Sequence, residues 1–298
     1  MKIAVMGAGA VGCFFGGLLH RAGHEVVLIG RDGLVDAVNA HGLRLQTADF
    51  DGFLPLRADS SPAAVRGAGL LLFCVKSGDT EAAGASIAQF LAADCPVLSL
   101  QNGVDNAARL SQVLQREAIP VAVYVASGMV APGHVVHYGR CELVLGPMTG
   151  SETAAQLLNA AGIPSTITPR VHEALWTKLA INCAYNALSA LTQIPYGELV
   201  KRTGIVATMH AVIDECSAVA AAAGFTLPDT IQDDMLAISR TMAGQLSSTA
   251  RDVARGRRSE IDFINGFVVR EGERLGIPVP LNRVLHGLVK VKDDRIVL

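Results

Sequence analysis

The chain has 298 residues, with 25 basic against 27 acidic residues and a formal charge of −2 at neutral pH. Half of the residues are hydrophobic and 17% are charged, where a typical soluble domain carries about 25%. This balance excludes a largely disordered chain, and it gives no broad field to draw nucleic acid or an anionic membrane.

Met1 to Met6 is a short apolar, β-branched run, as expected for a strand buried on both faces. Gly7-Ala8-Gly9-Ala10-Val11-Gly12 follows, then a helical run to about Ala22, a stop at Gly23 and a second strand from His24 to Ile29. That order is a βαβ unit. The stretch from Ile3 to Leu19 has no charged residue and follows Lys2, so it imitates a signal sequence. Five glycines (Gly7, Gly9, Gly12, Gly16 and Gly17) interrupt it at spacings that suit a nucleotide loop and not a targeting helix. The expectation is a soluble, cytoplasmic protein without a membrane span.

Leu70 to Val75 and Val97 to Leu100 read as further buried strands. Pro120 to Ala126 and Val135 to Leu145 read as two more, with a turn at Pro132-Gly133. Strands alternating with helices imply a mainly parallel, doubly wound sheet. Beyond Pro169 strand-type runs nearly vanish. Helices are expected over His172 to Leu191, Thr208 to Ala223, Pro228 to Gln245, Glu260 to Leu275 and Asn282 to Lys290. The boundary falls at Pro169, with an α/β domain over 1–168 and an all-α domain over 169–298.

Six cysteines (Cys13, Cys74, Cys95, Cys141, Cys183 and Cys216) form no CxxC pair. They read as buried, reduced thiols, and no metal site is expected. His134 and His137 stand three apart on a strand, so they point to opposite faces and a shared ion is not expected.

Gly7, Gly9 and Gly12 make G-x-G-x-x-G between a strand and a helix, the context in which that pattern binds a dinucleotide. The first glycine allows the tight turn, the second lets the backbone approach a pyrophosphate, and the third lets helix pack on strand. The start of the helix, Ala10 and Val11, then offers free N–H groups to phosphate, next to Ala8 of the loop. The second strand ends in Gly30-Arg31 where an NAD site usually has Asp or Glu, so NADP(H) is the expected cofactor, with Arg31 meeting the 2′-phosphate. An exposed loop arginine is the alternative, and Asp32 could turn back toward the ribose. Lys76 and Asn102 follow strand ends, where ligands of open α/β sheets bind. Lys76 can neutralise a cofactor phosphate, or stand as a solvated loop lysine. Asn102 can bond the nicotinamide ribose or the substrate, or simply form a turn with Gly103.

Lys178, Asn182 and Asn186 recur every four residues in an otherwise apolar helix and share one face. Burying such groups without partners costs about 1–3 kcal/mol per amide and more for the ammonium. The stripe therefore faces a polar cleft or bulk water. Downstream, Arg251, Arg255, Arg257 and Arg258 look like a nucleic-acid patch, but Asp252, Glu260 and Asp262 interrupt them. Ser259 with Glu260 also reads as a helix start, Ser259 capping an acidic first turn.

GAGAVG from Gly7, CVKS around Lys76, QNG around Asn102, the K-x-x-x-N-x-x-x-N of Lys178, Asn182 and Asn186, and SS through EIDFING from Ser247 to Gly266 together resemble the ketopantoate reductase (2-dehydropantoate 2-reductase) family. The resemblance implies an N-terminal Rossmann domain and a helical C-terminal domain like that of 6-phosphogluconate dehydrogenase, with the active site in the cleft between them. It implies NADPH-dependent reduction of ketopantoate to D-pantoate, on the route to pantothenate. Lys178 falls on the family's catalytic lysine and Glu260 on its active-site glutamate. Asn102, Asn182, Asn186 and Ser248 fall on substrate-contacting positions, and Arg31 and Lys76 on cofactor-phosphate positions. The strand Val121 to Ser127 departs from the family pattern, with Tyr124 and Ala126 in place of a Thr-rich, His-containing run. A related 2-oxo acid reductase is therefore the alternative. A nucleotide-binding protein without catalysis is a further reading, opposed by Lys178 and Glu260 standing together. The composition permits a homodimer and does not require one.

Overall fold

The computed structural model describes residues 1–294. These form two compact units, Met1–Val171 and the chain from His172 onward.

The first unit runs β1 (Lys2–Met6), α1 (Ala10–Arg21), β2 (Glu25–Ile29), α2 (Asp32–His41), β3 (Leu43–Gln46), β4 (Asp51–Leu54), β5 (Arg57–Asp59), β6 (Leu70–Phe73), α3 (Thr80–Ala88), β7 (Val97–Ser99), α4 (Asn106–Leu114), β8 (Ile119–Ala131), β9 (His134–Leu145), α5 (Ser151–Ala160) and β10 (Ser165–Ile167). Its strands lie in the order β4-β3-β9-β8-β7-β6-β1-β2-β5, with β10 beside β9. From β8 to β5 every neighbouring pair is parallel. Leaving aside β3 and β4, that stretch has the doubly wound order, with the chain reversing direction across the sheet at β1.

Both faces of the central strands are buried, so successive residues serve opposite cores. Val5, Leu28, Leu72 and Leu98 point to one side. Ala4, Val27, Leu71 and Val97 point to the other. The sheet is more mixed than the sequence pattern implies. β8 and β9 extend into an antiparallel ribbon with register shifts near Ala126, closed by Gly133 at φ +70°. β3 and β4 form an antiparallel hairpin whose free side joins β9. With four residues or fewer in each of β3, β4, β5 and β10, the sequence carries little periodicity to reveal them.

The second unit contains α6 (Val171–Thr192), which begins at the boundary, α7 (Tyr196–Leu199), α8 (Ile205–Ala222), α9 (Ile231–Thr241), α10 (Ser248–Ala254), α11 (Asn265–Leu275) and α12 (Pro280–Asp294). α8 is apolar enough by length and composition to cross a membrane. In the fold, its Met209, Val212, Ile213, Cys216 and Val219 belong to the core, and α11 and α12 pack against it. Its Glu215 carboxylate accepts from the N–H groups of Leu281 and Asn282 at 2.8 and 2.9 Å, which satisfies the open start of α12.

The helix expected from Glu260 is broken in two. A 3-10 turn spans Ile261–Phe263, and α11 starts after Ile264, whose φ −112° and ψ −101° are not helical. Ser259 is not a simple helix cap. Its hydroxyl donates to Asp293 at 2.8 Å and accepts from the Ile261 N–H at 3.3 Å. Four cysteines are buried as expected, while Cys74 and Cys141 are only half-buried.

Candidate functional site

The glycine loop leaves β1 beside the carboxyl end of β6, at the reversal point of the sheet. The N–H groups of Gly7 and Ala8 both donate to the Ile29 carbonyl at 3.0 Å, tying the loop to β2. The three glycines have separate duties. Gly7 has φ +98°, and a Cβ there would lie 2.5 Å from the Val75 nitrogen. A Cβ on Gly12 would strike the Gly7 carbonyl and sit 2.8 Å from Val5 Cγ1. A Cβ on Gly9 would meet no protein atom within 4 Å. Protein packing thus demands glycine at 7 and 12. At 9 it leaves bare backbone facing open space, at the start of α1, where the N–H groups of Ala10, Val11 and Gly12 have no partner within the helix. These residues fit a dinucleotide pyrophosphate.

The other residues expected to meet the cofactor occupy the same edge of the sheet. Arg31 is exposed and extended between β2 and α2, and Asp32 opens α2. Lys76 is exposed just past β6. Asn102 is half-buried in the loop after β7.

Beneath Lys76 and Asn102 runs a buried polar network that scattered sequence positions concealed. The Ser77 hydroxyl donates to the Asn102 carbonyl at 2.8 Å, and Asn106 Nδ2 donates to the same oxygen at 2.6 Å and to Ser77 Oγ at 3.2 Å. Thr80 Oγ1 donates to Asn106 Oδ1 at 3.2 Å and accepts from Gln101 Nε2 at 2.7 Å. Arg109 donates to the Ser77 carbonyl at 2.9 Å and grips Glu81 with two bonds of 2.7 Å, which hold that carboxyl below its usual range. Such a closed network rigidifies two loops that would otherwise be independent.

In the second unit the stripe sinks along α6. Lys178 and Asn182 are half-buried, whereas Asn186 is 2% exposed. A stripe turned wholly to bulk water is thereby excluded. Aromatic packing fixes the start of the helix, with Trp176 5.5 Å from Phe267 and 6.4 Å from Phe225, between ring centroids. A polar chain fixes its middle. Asn265 Nδ2 donates to the Cys183 carbonyl at 3.2 Å and to Asn282 Oδ1 at 2.9 Å, and Asn282 Nδ2 donates to Glu215 at 2.8 Å. Burial pushes the Cys183 thiol, next to Asn182, well up.

Ser247 joins α10 to the stripe. Its hydroxyl donates to the Asn186 carbonyl at 3.3 Å and accepts from the Ala250 N–H at 3.0 Å as the cap of α10. Ser248 is the exposed first residue of that helix. Glu260 is half-buried before the 3-10 turn. That turn is anchored to α12 through Asp262, which accepts from His286 Nε2 at 2.6 Å and Lys290 Nζ at 2.8 Å.

The two histidines of the ribbon have separate partners. His134 meets Gln46 at 3.1 Å, and His137 stacks on Phe14 with centroids 4.3 Å apart. On β8, Tyr124 lies half-buried beneath the Arg140 guanidinium, 4.5 Å from its ring centroid. A cavity of about 430 Å³ beside α7 and α9 is lined by Glu198, Lys201 and Arg240 among others. None of the sequence-predicted site residues lines it.

Comparison with known proteins covers both units. The family described as "Ketopantoate reductase PanE/ApbA" matches residues 3–150, and its C-terminal counterpart matches residues 170–293. A 2-dehydropantoate 2-reductase from Vibrio cholerae is 33% identical, covering 99% of this chain and 98% of its own. One from Archaeoglobus fulgidus is 31% identical, with 97% of each chain covered. Among solved structures, a PanE/ApbA family ketopantoate reductase from Ralstonia eutropha is 53% identical with a TM-score of 0.96, covering 100% of both chains. A D-mandelate dehydrogenase solved with NADH and anilino(oxo)acetate is 25% identical with a TM-score of 0.94, again over 100% of both.

Proposed function

The chain belongs to the ketopantoate reductase PanE/ApbA family, and from that membership and the residues described above we propose that it reduces 2-dehydropantoate to D-pantoate with NADPH, in the cytoplasm. It is an oxidoreductase of the 2-dehydropantoate 2-reductase type that uses a nicotinamide cofactor and a small keto acid. The observation that carries the proposal is the lysine-asparagine stripe, half-buried at Lys178 and Asn182 and buried at Asn186, in a helix most of whose other residues are buried and apolar.

The bound cofactor supplies the hydride. As the carbonyl oxygen on C2 of the 2-oxo acid becomes an alkoxide, the Lys178 ammonium stabilises the growing charge and transfers one proton to that oxygen, leaving a 2-hydroxy acid. Lys178, Ser248 and Asn102 offer donors to the substrate carboxylate. Asn182 and Asn186 suit the distal hydroxyl, and Glu260 holds Lys178 or that hydroxyl in place. Gly7 to Gly12 cradle the pyrophosphate. Arg31 and Lys76 favour NADPH over NADH, because the 2′-phosphate adds the charge their cationic groups can meet.

The likeness to D-mandelate dehydrogenase, together with Tyr124 on β8, favours a second reading in which the preferred acid has a different side chain. One assay separates the two: purified protein, NADPH and a panel of 2-oxo acids, followed by nicotinamide absorbance. Fastest turnover with ketopantoate is expected. Lys178→Ala is expected to lower kcat/KM by about 10²–10⁴-fold. A variant as fast as the wild type would overturn the assignment of Lys178.

A further inference from the structure

The helix α12 carries two apolar stripes. Leu285 and Val289 belong to the core, in line with buried Asn282 and Asp293. Val284, Leu288 and Val291 follow one another at helical spacing on roughly the opposite side. They are 58%, 49% and 54% exposed. Among the described residues, three of the seven large hydrophobic side chains left exposed thus fall on one helix face. Single exposed apolar residues are ordinary, whereas a line of them marks a contact. The stripe is not needed to hold α12 in place. Glu215 fixes the start of the helix, and Asp262 fixes its other side through His286 and Lys290.

This face is complementary to itself when two copies lie antiparallel. Val284 and Val291 are symmetric about the point midway between Gly287 and Leu288. A two-fold axis there sets Val284 of each copy against Val291 of the other and brings the two Leu288 side chains together. Gly287 is exposed, and a Cβ on it would meet nothing within 4 Å, so bare backbone beside the axis makes space for both leucines. The charges agree with the same register. Arg283 and Asp294, both exposed, are eleven residues apart and therefore only about 20° apart around the helix. They stand on one flank near opposite ends of α12. Antiparallel packing brings each Arg283 beside Asp294 of the other copy, twice by symmetry. Arg283 donates to Glu273 at 2.8 Å within its own chain, and its planar fork has further donors for a second carboxylate. The mixed signs of Arg283, Glu273 and Asp294 suit a protein surface and not an anionic membrane.

We propose that this face of α12 joins two copies of the chain in a two-fold dimer. The proposal is independent of which acid the enzyme reduces. From Val284 to Val291 the stripe covers about 10 Å of helix. An interface built on it falls at the small end for specific contacts, below about 1,200 Å² in total, so the dimer should be weak and concentration-dependent.

Sedimentation equilibrium of the full-length protein from about 1 to 100 µM tests it, across the range in which such an interface dissociates. A monomer–dimer equilibrium is expected. Leu288→Arg sets two cations at the axis and should move dimerisation to about tenfold higher concentration or more. Its circular dichroism should match the wild type, because the side chain is half exposed to solvent. Asp294→Lys should weaken the dimer severalfold. Cysteine cross-linking under mild oxidation reads the register, with the wild type as the control for the native thiols. Leu288→Cys should link two copies readily. Val284→Cys should not, since its two positions stand about 10 Å apart along the helices. A wild type that is monomeric throughout overturns the proposal, as does a dimer that Leu288→Arg leaves intact. Cross-linking through Val284→Cys and not Leu288→Cys overturns the antiparallel register. A monomer that co-sediments with vesicles of anionic lipid, and loses this with Leu288→Arg, would give the face to a membrane and overturn the dimer.

Discussion

The two units display their polar groups in opposite ways. The first does so at the edge of a sheet, where strands end and backbone N–H groups are free, and its cationic side chains Arg31 and Lys76 are exposed. The second sets them into the flank of an internal helix, where exposure falls from half-buried Lys178 to almost fully buried Asn186. At the sheet edge the critical property is the absence of a side chain at three glycines, and binding should be sensitive to bulk. On the helix it is the presence of amides and an ammonium among core residues, and rate and specificity should be sensitive to chemistry.

The glycines give the largest effect outside Lys178. Gly12→Ala drives a methyl group into the Gly7 carbonyl and against Val5. Overpacking of this kind costs about 1–3 kcal/mol, and the upper end is expected because backbone must move. Gly9→Ala meets nothing within 4 Å and has φ −82°, so its stability should stay within about 0.5 kcal/mol of wild type. Its affinity for NADPH should nevertheless fall about tenfold, equivalent to 1.4 kcal/mol. Denaturant unfolding and a fluorescence titration of NADPH measure the two quantities. A Gly9→Ala protein that bound NADPH normally would show that the pyrophosphate does not approach this backbone.

A smaller effect is expected from Asn106→Asp. The substitution keeps the size but turns a donor toward the Asn102 carbonyl into an acceptor, within a site 2% exposed. Nearby Arg109, 3.3 Å from Asn106 Oδ1, offsets part of the new charge. A stability loss of about 1–2 kcal/mol follows from one buried bond made repulsive. NADPH should also bind more weakly by roughly threefold, because Lys76 and Asn102 lose a shared tether. Unchanged affinity in a destabilised variant would reduce the network to a purely structural role.

Sequence legibility divides along the same line as the two units. The placement of the glycine loop, Arg31, Lys76 and Asn102 just past strand ends was readable because each follows an apolar run that ends abruptly. Spacing by four was enough to place Lys178, Asn182 and Asn186 on one face. It could not show that the face sinks into the protein at Asn186, since burial there depends on Ser247, sixty-one residues away in sequence. The supporting networks were illegible for the same reason. Ser77, just past β6, meets Asn106 and Arg109 of α4, and Cys183, Asn265, Asn282 and Glu215 come from four helices. Local periodicity marks which residues are polar, whereas only the fold decides which of them meet. The break after Glu260 was hidden because Asp262 reaches α12 instead of serving a local helix start.

That reach makes Asp262 the site of the mildest prediction. Hydrogen bonds from His286, then Lys290, hold its carboxyl well below the ordinary carboxylate range against the opposing effect of burial. A lowered pKa in the folded state stabilises the protein above the unfolded value of about 4 and loses that contribution as pH falls toward the folded value. The side chain is 41% exposed, so solvent screens the pair and the effect should be smaller than those above. Asp262→Asn should therefore lower the melting temperature slightly at neutral pH and flatten its decline below about pH 4. Because Arg270 also donates to the Asp262 carbonyl, at 2.8 Å, the backbone of the turn keeps one anchor in the variant. Identical acid limbs for the two proteins would mean that this turn, and Glu260 with it, is held by its backbone and packing alone.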